Sequence, residues 1–389
     1  MRMPVASCTA HKRTSRPARS VSVRAEVLQV GDSWVVAKST SVRRQKPKGV
    51  IHFLGGAFAG AAPQVVYSLF LDLLAERGYT VVATPYAVTF RHLDAAASVR
   101  TQFETTLASL KAQGRDWLVP EGVPLLAVGH SMGSLLHALL GATQPGPAPA
   151  ATVLISFNNK QVSDAIPIPG LMANLPTAMA AARALPLPPP PVPLPDAAAF
   201  LKGAMSLLPP AVAGVIDEGG RVSRAALALE QVASVVGEVE GGTTDFTPNP
   251  EETKALLAES YAGPRTLLVR FENDAIDETL QLEAALSSGR PGREGLLCQV
   301  LPGTHVTPCG GEIPYAAGPA FNPLAAAVQV AQYAGQLDVR RLADYVCDWL
   351  DAAVRVHAAG PAAAAGVTSS AGAAAAGDAS SSGGGSSSS

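Results

Sequence analysis

Between Gly49 and Phe157, short apolar runs alternate with stretches whose apolar residues recur every three or four positions. That alternation predicts strands followed by helices. Gly49 to Leu54 reads as a buried strand that leaves on Gly55 and Gly56. Val65 to Arg77 has helical spacing, with Val66, Leu69, Leu73 and Leu74 on one side. Thr80 to Thr84 is the next strand, Leu93 to Leu110 the next helix, and residues 124–128 a further strand. After a second apolar run at Leu135 to Leu140 comes the strand Ala151 to Phe157. Upstream, Trp34 to Ala37 reads as a short strand and Arg43 to Lys48 as a charged turn. Strands this uniformly apolar are covered on both faces, and strand–helix alternation pairs them in parallel, so the pattern predicts an α/β fold with a mostly parallel central sheet.

The alternation stops after Asn159. From Ile166 to Leu208 proline is dense, with Pro188 to Pro191 consecutive, and neither a regular helix nor a central strand can pass through it. Ala225 to Val239 could form one helix. The strand–helix pattern resumes at Arg265 to Phe271, continues through a helix near Glu278 to Leu286 and a strand at Leu296 to Leu301, and closes with a helix from Val339 to Val354. Residues from about 160 to 262 are therefore expected to be a Pro/Ala-rich lid insertion between two strands of one sheet, lying over their carboxyl ends. Residues 26–357 form one domain on this reading, and the Ala/Gly/Ser tail at 358–389 is expected to be disordered.

Composition narrows the classes. The chain has 389 residues, 48% of them hydrophobic and 15% charged, enough to fill a large core. A net charge of −2, with no basic stripe interleaved with aromatics, argues against nucleic acid. Cys8, Cys298, Cys309 and Cys347 are too scattered for a disulfide framework or a zinc knuckle; Cys298 and Cys309 could meet across a turn, but ordinary thiols are expected. Within residues 1–25, Arg2, Lys12, Arg13, Arg16, Arg19 and Arg24 occur with several serines, and no acid precedes Glu26. That is the composition of an organelle transit peptide, cleaved near Val23-Arg24-Ala25. A chloroplast is expected first and a mitochondrion second; a disordered cytosolic N-terminus is the bland alternative. No run of 18 apolar residues predicts a transmembrane segment.

The chemistry centres on Gly129-His130-Ser131-Met132-Gly133, set between the strand at 124–128 and the apolar run at 135–140. Strand, sharp turn and helix are what a Gly-x-Ser-x-Gly nucleophile elbow requires. A serine hydroxyl attacks only when a base removes its proton, and the base needs an acid to hold its tautomer. His305 lies in Leu301 to Pro308, directly after the last strand, whereas His357 borders the tail. Asp274, the third residue beyond Phe271, is the acid expected, with Asp277 in reserve; Asp277 is also well placed to cap the following helix. The oxyanion would be held by the amides of Met132 and of Ala57 or Phe58 in the glycine-rich loop after the strand at 49–54. His130 and His137 read as packed histidines. No phosphate loop, dinucleotide fingerprint or metal-ligand cluster is present, so no cofactor or metal site is expected.

With these residues, the chain resembles the α/β-hydrolase superfamily and, more closely, the DUF1350 family of cyanobacterial, algal and plant plastid proteins. The matching stretches are GVIHFLGGAFAGAAPQ, ATPYAVTF, AVGHSMGSLLHALLGA, ISFNNK with DAIP shortly after, DFTPNPEET, VRFENDAIDET and LPGTHVTP, spread over about residues 49–325. The resemblance implies the α/β-hydrolase fold and a plastid setting. The Pro/Ala-rich stretch at about 168–240 is longer than the family leads one to expect.

Together these features predict a serine hydrolase acting through an acyl-enzyme on an ester, thioester or related acyl bond of a small-molecule substrate, which the apolar insertion suggests is lipid-like. The insertion would also permit peripheral membrane contact. Protein partners are left open, since a proline-rich insertion could be a partner-docking surface as easily as a lid. The main alternative is a non-catalytic binding or scaffold protein that keeps the elbow as architecture; transacylase or haloperoxidase-like chemistry would use the same triad.

Overall fold

The computed structural model describes residues 25–38, 46–57, 59–143, 148–160, 245–288, 295–310 and 323–359, with the side chains of the last segment described from residue 335. The expected transit segment up to Arg24, Cys8, Phe58, most of the insertion, the expected helix at 225–239 and the tail beyond Ala359 lie outside the described residues.

One sheet of eight strands organises the described chain, in the order β1-β2-β4-β3-β5-β6-β7-β8. Its strands are β1 (Ala25–Val30), β2 (Ser33–Lys38), β3 (Val50–Leu54), β4 (Thr80–Ala83), β5 (Leu125–His130), β6 (Ala151–Ile155), β7 (Thr266–Asn273) and β8 (Leu296–Thr304). The β1–β2 hairpin joins the sheet antiparallel through β2 and β4, and every later pairing is parallel. This is the α/β-hydrolase arrangement. The sequence reading missed β1, whose residues are mostly half-buried or exposed and show no apolar run.

Alternation along each strand divides the core in two. Ile51 and Phe53 of β3, Leu126 and Val128 of β5, Val153 and Ile155 of β6, and Leu267 and Val269 of β7 face one layer. That layer is built from α1 (Pro63–Val66), α2 (Ser68–Glu76) and α7 (Pro323–Ala359). Leu54, Leu154 and Leu268 face the opposite layer, against α3 (His92–Ala112), α4 (Met132–Thr143), α5 (Pro250–Ser260) and α6 (Thr279–Ser288). Each large side chain fully buried this way contributes about 1.5–3 kcal/mol. Cys309 packs in the first layer and Cys298 in the second, which is why the two do not pair.

The helix expected over 65–77 is interrupted at Tyr67, which ends α1 and precedes α2. The insertion between β6 and β7 is narrower than the 160–262 expected, because its return is part of the body. Phe246 packs against the rings of Phe90 (5.4 Å) and His92 (4.4 Å). The run Asn249-Pro250-Glu251-Glu252 then starts α5 with a capping box: the Asn249 side chain accepts from the Glu252 amide at 2.9 Å, and Glu252 accepts from the Asn249 amide at 3.0 Å. The exit is tied to that return, since Asn159 Nδ2 donates to the Pro250 carbonyl at 3.0 Å and the Asn159 amide donates to Glu278 Oε2 at 2.8 Å. Two of the quoted sequence stretches, ISFNNK and DFTPNPEET, thus clamp the two ends of the insertion together.

Candidate active site

Ser131 follows the last residue of β5 and precedes α4, with φ at +55°. Its amide donates to the Ile155 carbonyl at 2.9 Å, and its own carbonyl accepts the first turn of α4 from Ser134 at 2.9 Å. The flanking glycines are required by space. A Cβ on Gly129 would lie 2.5 Å from the Gly133 carbonyl oxygen, and one on Gly133 would overlap the carbonyls of Leu54 and Gly55. An ordinary residue at either position would open the turn that raises Ser131 above the sheet.

His305 reaches the serine from the loop after β8. Its Nε2 lies 3.0 Å from Ser131 Oγ, and its Nδ1 lies 2.8 Å from Asp274 Oδ2. A carboxylate only accepts, so Nδ1 carries the proton and Nε2 is free to accept from the serine hydroxyl. The Asp274 side chain is 0% exposed and that of His305 is 19% exposed. Burial alone would raise the Asp274 pKa. The hydrogen bond and charge of His305, the Ser156 hydroxyl and the Ile276 amide outweigh it, and the carboxyl sits below its ordinary value. The Ile276 amide donates to Oδ1 at 3.1 Å; the buried Ser156 hydroxyl faces the same carboxylate without completing a hydrogen bond of ordinary geometry. Ser156 is itself in the left-handed region, with φ at +48° at the end of β6.

Asp277, the reserve acid, goes elsewhere. Its carboxylate, 2% exposed, takes Arg270 Nε at 2.9 Å and the Thr279 hydroxyl at 2.5 Å. The expectation that it caps the next helix is adjusted accordingly, because α6 begins at Thr279 and the bond to Asp277 comes from the Thr279 side chain.

Two amides were expected to face the oxyanion. Met132 is the first residue of α4, and its N–H engages no protein acceptor among the described residues. In the loop after β3, the Gly56 amide is already committed to Tyr67 Oη at 2.7 Å, and the Gly55 carbonyl accepts from Tyr86 Oη at 2.6 Å. Ala57 keeps an uncommitted amide among the described residues, and Phe58 lies outside them. The loop is against the elbow, since a Cβ on Gly56 would stand 3.1 Å from Ser131 Cβ.

The family profile described as "Protein of unknown function (DUF1350)" matches residues 29–352. The chain belongs to the DUF1350 family. No curated protein sequence matches it. Among solved structures, the chain is similar to a thioesterase domain from the curacin biosynthetic pathway, at 15% identity and TM-score 0.40, covering 79% of this chain and 98% of that one. It is also similar to a soluble variant of monoglyceride lipase from Saccharomyces cerevisiae, at 12% identity and TM-score 0.40, covering 82% and 99%. A third is the peroxisomal alpha-beta-hydrolase Lpx1 of Saccharomyces cerevisiae, at 13% identity and TM-score 0.39, covering 79% and 91%.

In this DUF1350 chain the sequence reading passed over a residue that the site engages. His130 was read as a packed histidine, and it is buried. Its ring also bridges Tyr67 and the backbone of His305, at 2.8 Å to each. Tyr67, inside an apolar helical run, carried no signal of its own. His137 matches the bland reading: it lies behind the elbow with Nε2 3.1 Å from the His52 carbonyl, and burial pushes its pKa down to about 4. Among the described residues, no group of three or more His, Cys, Asp or Glu is arranged to hold a metal ion, and no helix is long and apolar enough to cross a membrane.

Proposed function

We propose that this DUF1350 protein is a serine hydrolase that cleaves an ester, thioester or related acyl bond through an acyl-enzyme. The observation that carries the reading is the unbroken chain from Ser131 Oγ to His305 Nε2 at 3.0 Å and from His305 Nδ1 to Asp274 Oδ2 at 2.8 Å. In this scheme the Ser131 proton passes to His305 Nε2 as Oγ attacks the acyl carbonyl. The buried Asp274 carboxylate stabilises the imidazolium that results. The amides of Met132 and Ala57 would donate to the oxyanion, Met132 with the added field of the α4 N-terminus. Collapse of the intermediate expels the leaving group, which takes the proton from His305. Water, deprotonated by the same imidazole, then releases the acid and restores Ser131.

A fluorophosphonate probe tests this directly. The full chain should be labelled on Ser131, labelling should vanish in Ser131→Ala, and it should fall at least about 1,000-fold in rate in His305→Ala. A folded wild-type protein that takes up no probe would overturn the hydrolase reading and leave the non-catalytic one.

A further inference from the structure

Tyr67 sits where the helix after β3 breaks, fully buried, with its ring 5.0 Å from that of Phe53. Its hydroxyl joins the loop after β3 to the end of β5. It accepts from the Gly56 amide at 2.7 Å, and it lies 2.8 Å from His130 Nδ1. On the far side of His130, Nε2 lies 2.8 Å from the His305 carbonyl oxygen. The protons in this chain have one consistent order. A carbonyl only accepts, so His130 Nε2 must carry its proton; Nδ1 is then bare and accepts from the Tyr67 hydroxyl. That hydroxyl, having spent its proton, accepts from Gly56.

The path therefore runs from the loop after β3, through Tyr67 and the elbow residue His130, to the backbone of His305 itself. The loop end is closely packed on this path, because a Cβ on Gly56 would lie 3.3 Å from His130 Nδ1 and 3.4 Å from Tyr67 Oη. Charge is consistent with it at the other end. The His130 and His305 rings are 5.1 Å apart. Burial first, and then the neighbouring His305, push the His130 pKa down to about 3. His130 thus stays neutral beside a ring that must become an imidazolium.

We propose that Tyr67 and His130 are positioning residues that hold the Gly55–Ala57 loop and His305 against Ser131 as one unit, so that oxyanion donor and base are set together. The inference rests on the serine-hydrolase reading and adds to it the groups that align the site. Each hydrogen bond contributes only about 1 kcal/mol to stability, whereas a misplacement of about 1 Å in a reacting group costs on the order of 100-fold in rate. The loss should therefore appear in the chemical step and much less in binding.

The test is fluorophosphonate labelling of the full chain with the inactivation rate constant and the probe affinity measured separately. Tyr67→Phe keeps the ring and removes the hydroxyl; the rate constant should fall about 10- to 100-fold with affinity within about twofold. His130→Asn keeps an acceptor for Tyr67 but loses the bond to the His305 carbonyl, whereas His130→Gln places an amide N–H near the position of Nε2. Each of these variants keeps one link and breaks the other, so both should lose rate to about the extent of Tyr67→Phe, with probe affinity again within about twofold. The double variant Tyr67→Phe/His130→Asn should be no slower than its slower single parent, because both break one chain. A folded Tyr67→Phe protein that labels at the wild-type rate, or double-variant losses that multiply, would sink the inference. If Tyr67→Phe does not fold, wild-type labelling rates in folded His130→Asn and His130→Gln sink it as well. Unlabelled wild type removes the hydrolase reading itself, whereas a labelled wild type with unaffected variants removes the positioning role alone.

Discussion

Asp274 and Asp277 stand three residues apart between β7 and α6, and their side chains are 0% and 2% exposed. At one end of that loop the carboxylate turns to His305 and, through it, to Ser131. At the other it turns back to Arg270 on β7 and to the Thr279 hydroxyl at the start of α6. Both are buried, and both are paired with a group able to carry positive charge. What separates them is the partner's own second contact: His305 passes its interaction on to the Ser131 hydroxyl, and Arg270 makes no such second contact among the described residues. A buried carboxylate becomes a candidate for catalysis through the geometry one bond further out, and burial by itself says little.

The largest effect that could break this contrast is chemical. Asp274→Asn should slow labelling of Ser131 by about 1,000- to 10,000-fold, because the amide no longer fixes the Nδ1–H tautomer of His305. A rate within tenfold of wild type would remove Asp274 from the acid role. Asp277→Asn should leave the labelling rate within about threefold and act on stability instead. Breaking a buried pair by removing one partner costs about 3–5 kcal/mol. The Arg270 side chain is 28% exposed and can recover hydration, so about 1–3 kcal/mol is expected, read from the denaturant midpoint. Loss of labelling in a folded Asp277→Asn protein would reverse the assignment.

The smallest effect sharpens the contrast through pH. The Asp274 carboxyl lies below its ordinary value in the folded protein, so the stability it contributes is present above the unfolded carboxyl range and is lost as pH falls through its folded value. The difference in unfolding free energy between wild type and Asp274→Asn should therefore be widest near neutrality and narrow below about pH 4. Equilibrium unfolding at pH 6 and pH 3 checks this; a difference that stays constant contradicts it.

Much of this was legible in the amino-acid order. The strands at 50–54, 80–83 and 151–155 were visible because each is buried on both faces and so carries an unbroken apolar run. The elbow was legible for a steric reason, since only glycine fits at 129 and 133. Strand β1 was missed because an edge strand is half exposed and has no such run. Tyr67 was missed because its hydroxyl lies within an apolar helical pattern, where an aromatic ring reads as core. The role of His130 is not legible in sequence, since a histidine at a packed position looks the same whether or not its second nitrogen meets anything. The return of the insertion was hidden by proline. Pro250 breaks a pattern in mid-chain, yet here it occupies the first turn of α5, where a missing N–H costs nothing.

Local covalent and steric rules, written in short stretches of sequence, determined the alternation of strand and helix, the sharp turn at Ser131, and the order of Ser131, Asp274 and His305 just past strand ends. Those rules act within a few residues of one another. Tertiary structure alone decided which of Asp274 and Asp277 meets His305, and that Gly56, Tyr67, His130 and the His305 backbone form one hydrogen-bonded path. These contacts join residues far apart in sequence, His130 and His305 being separated by 175 positions. Their distances depend on how the parallel strands β3, β5, β7 and β8 place their carboxyl ends along one edge of the sheet, a quantity that no local pattern contains.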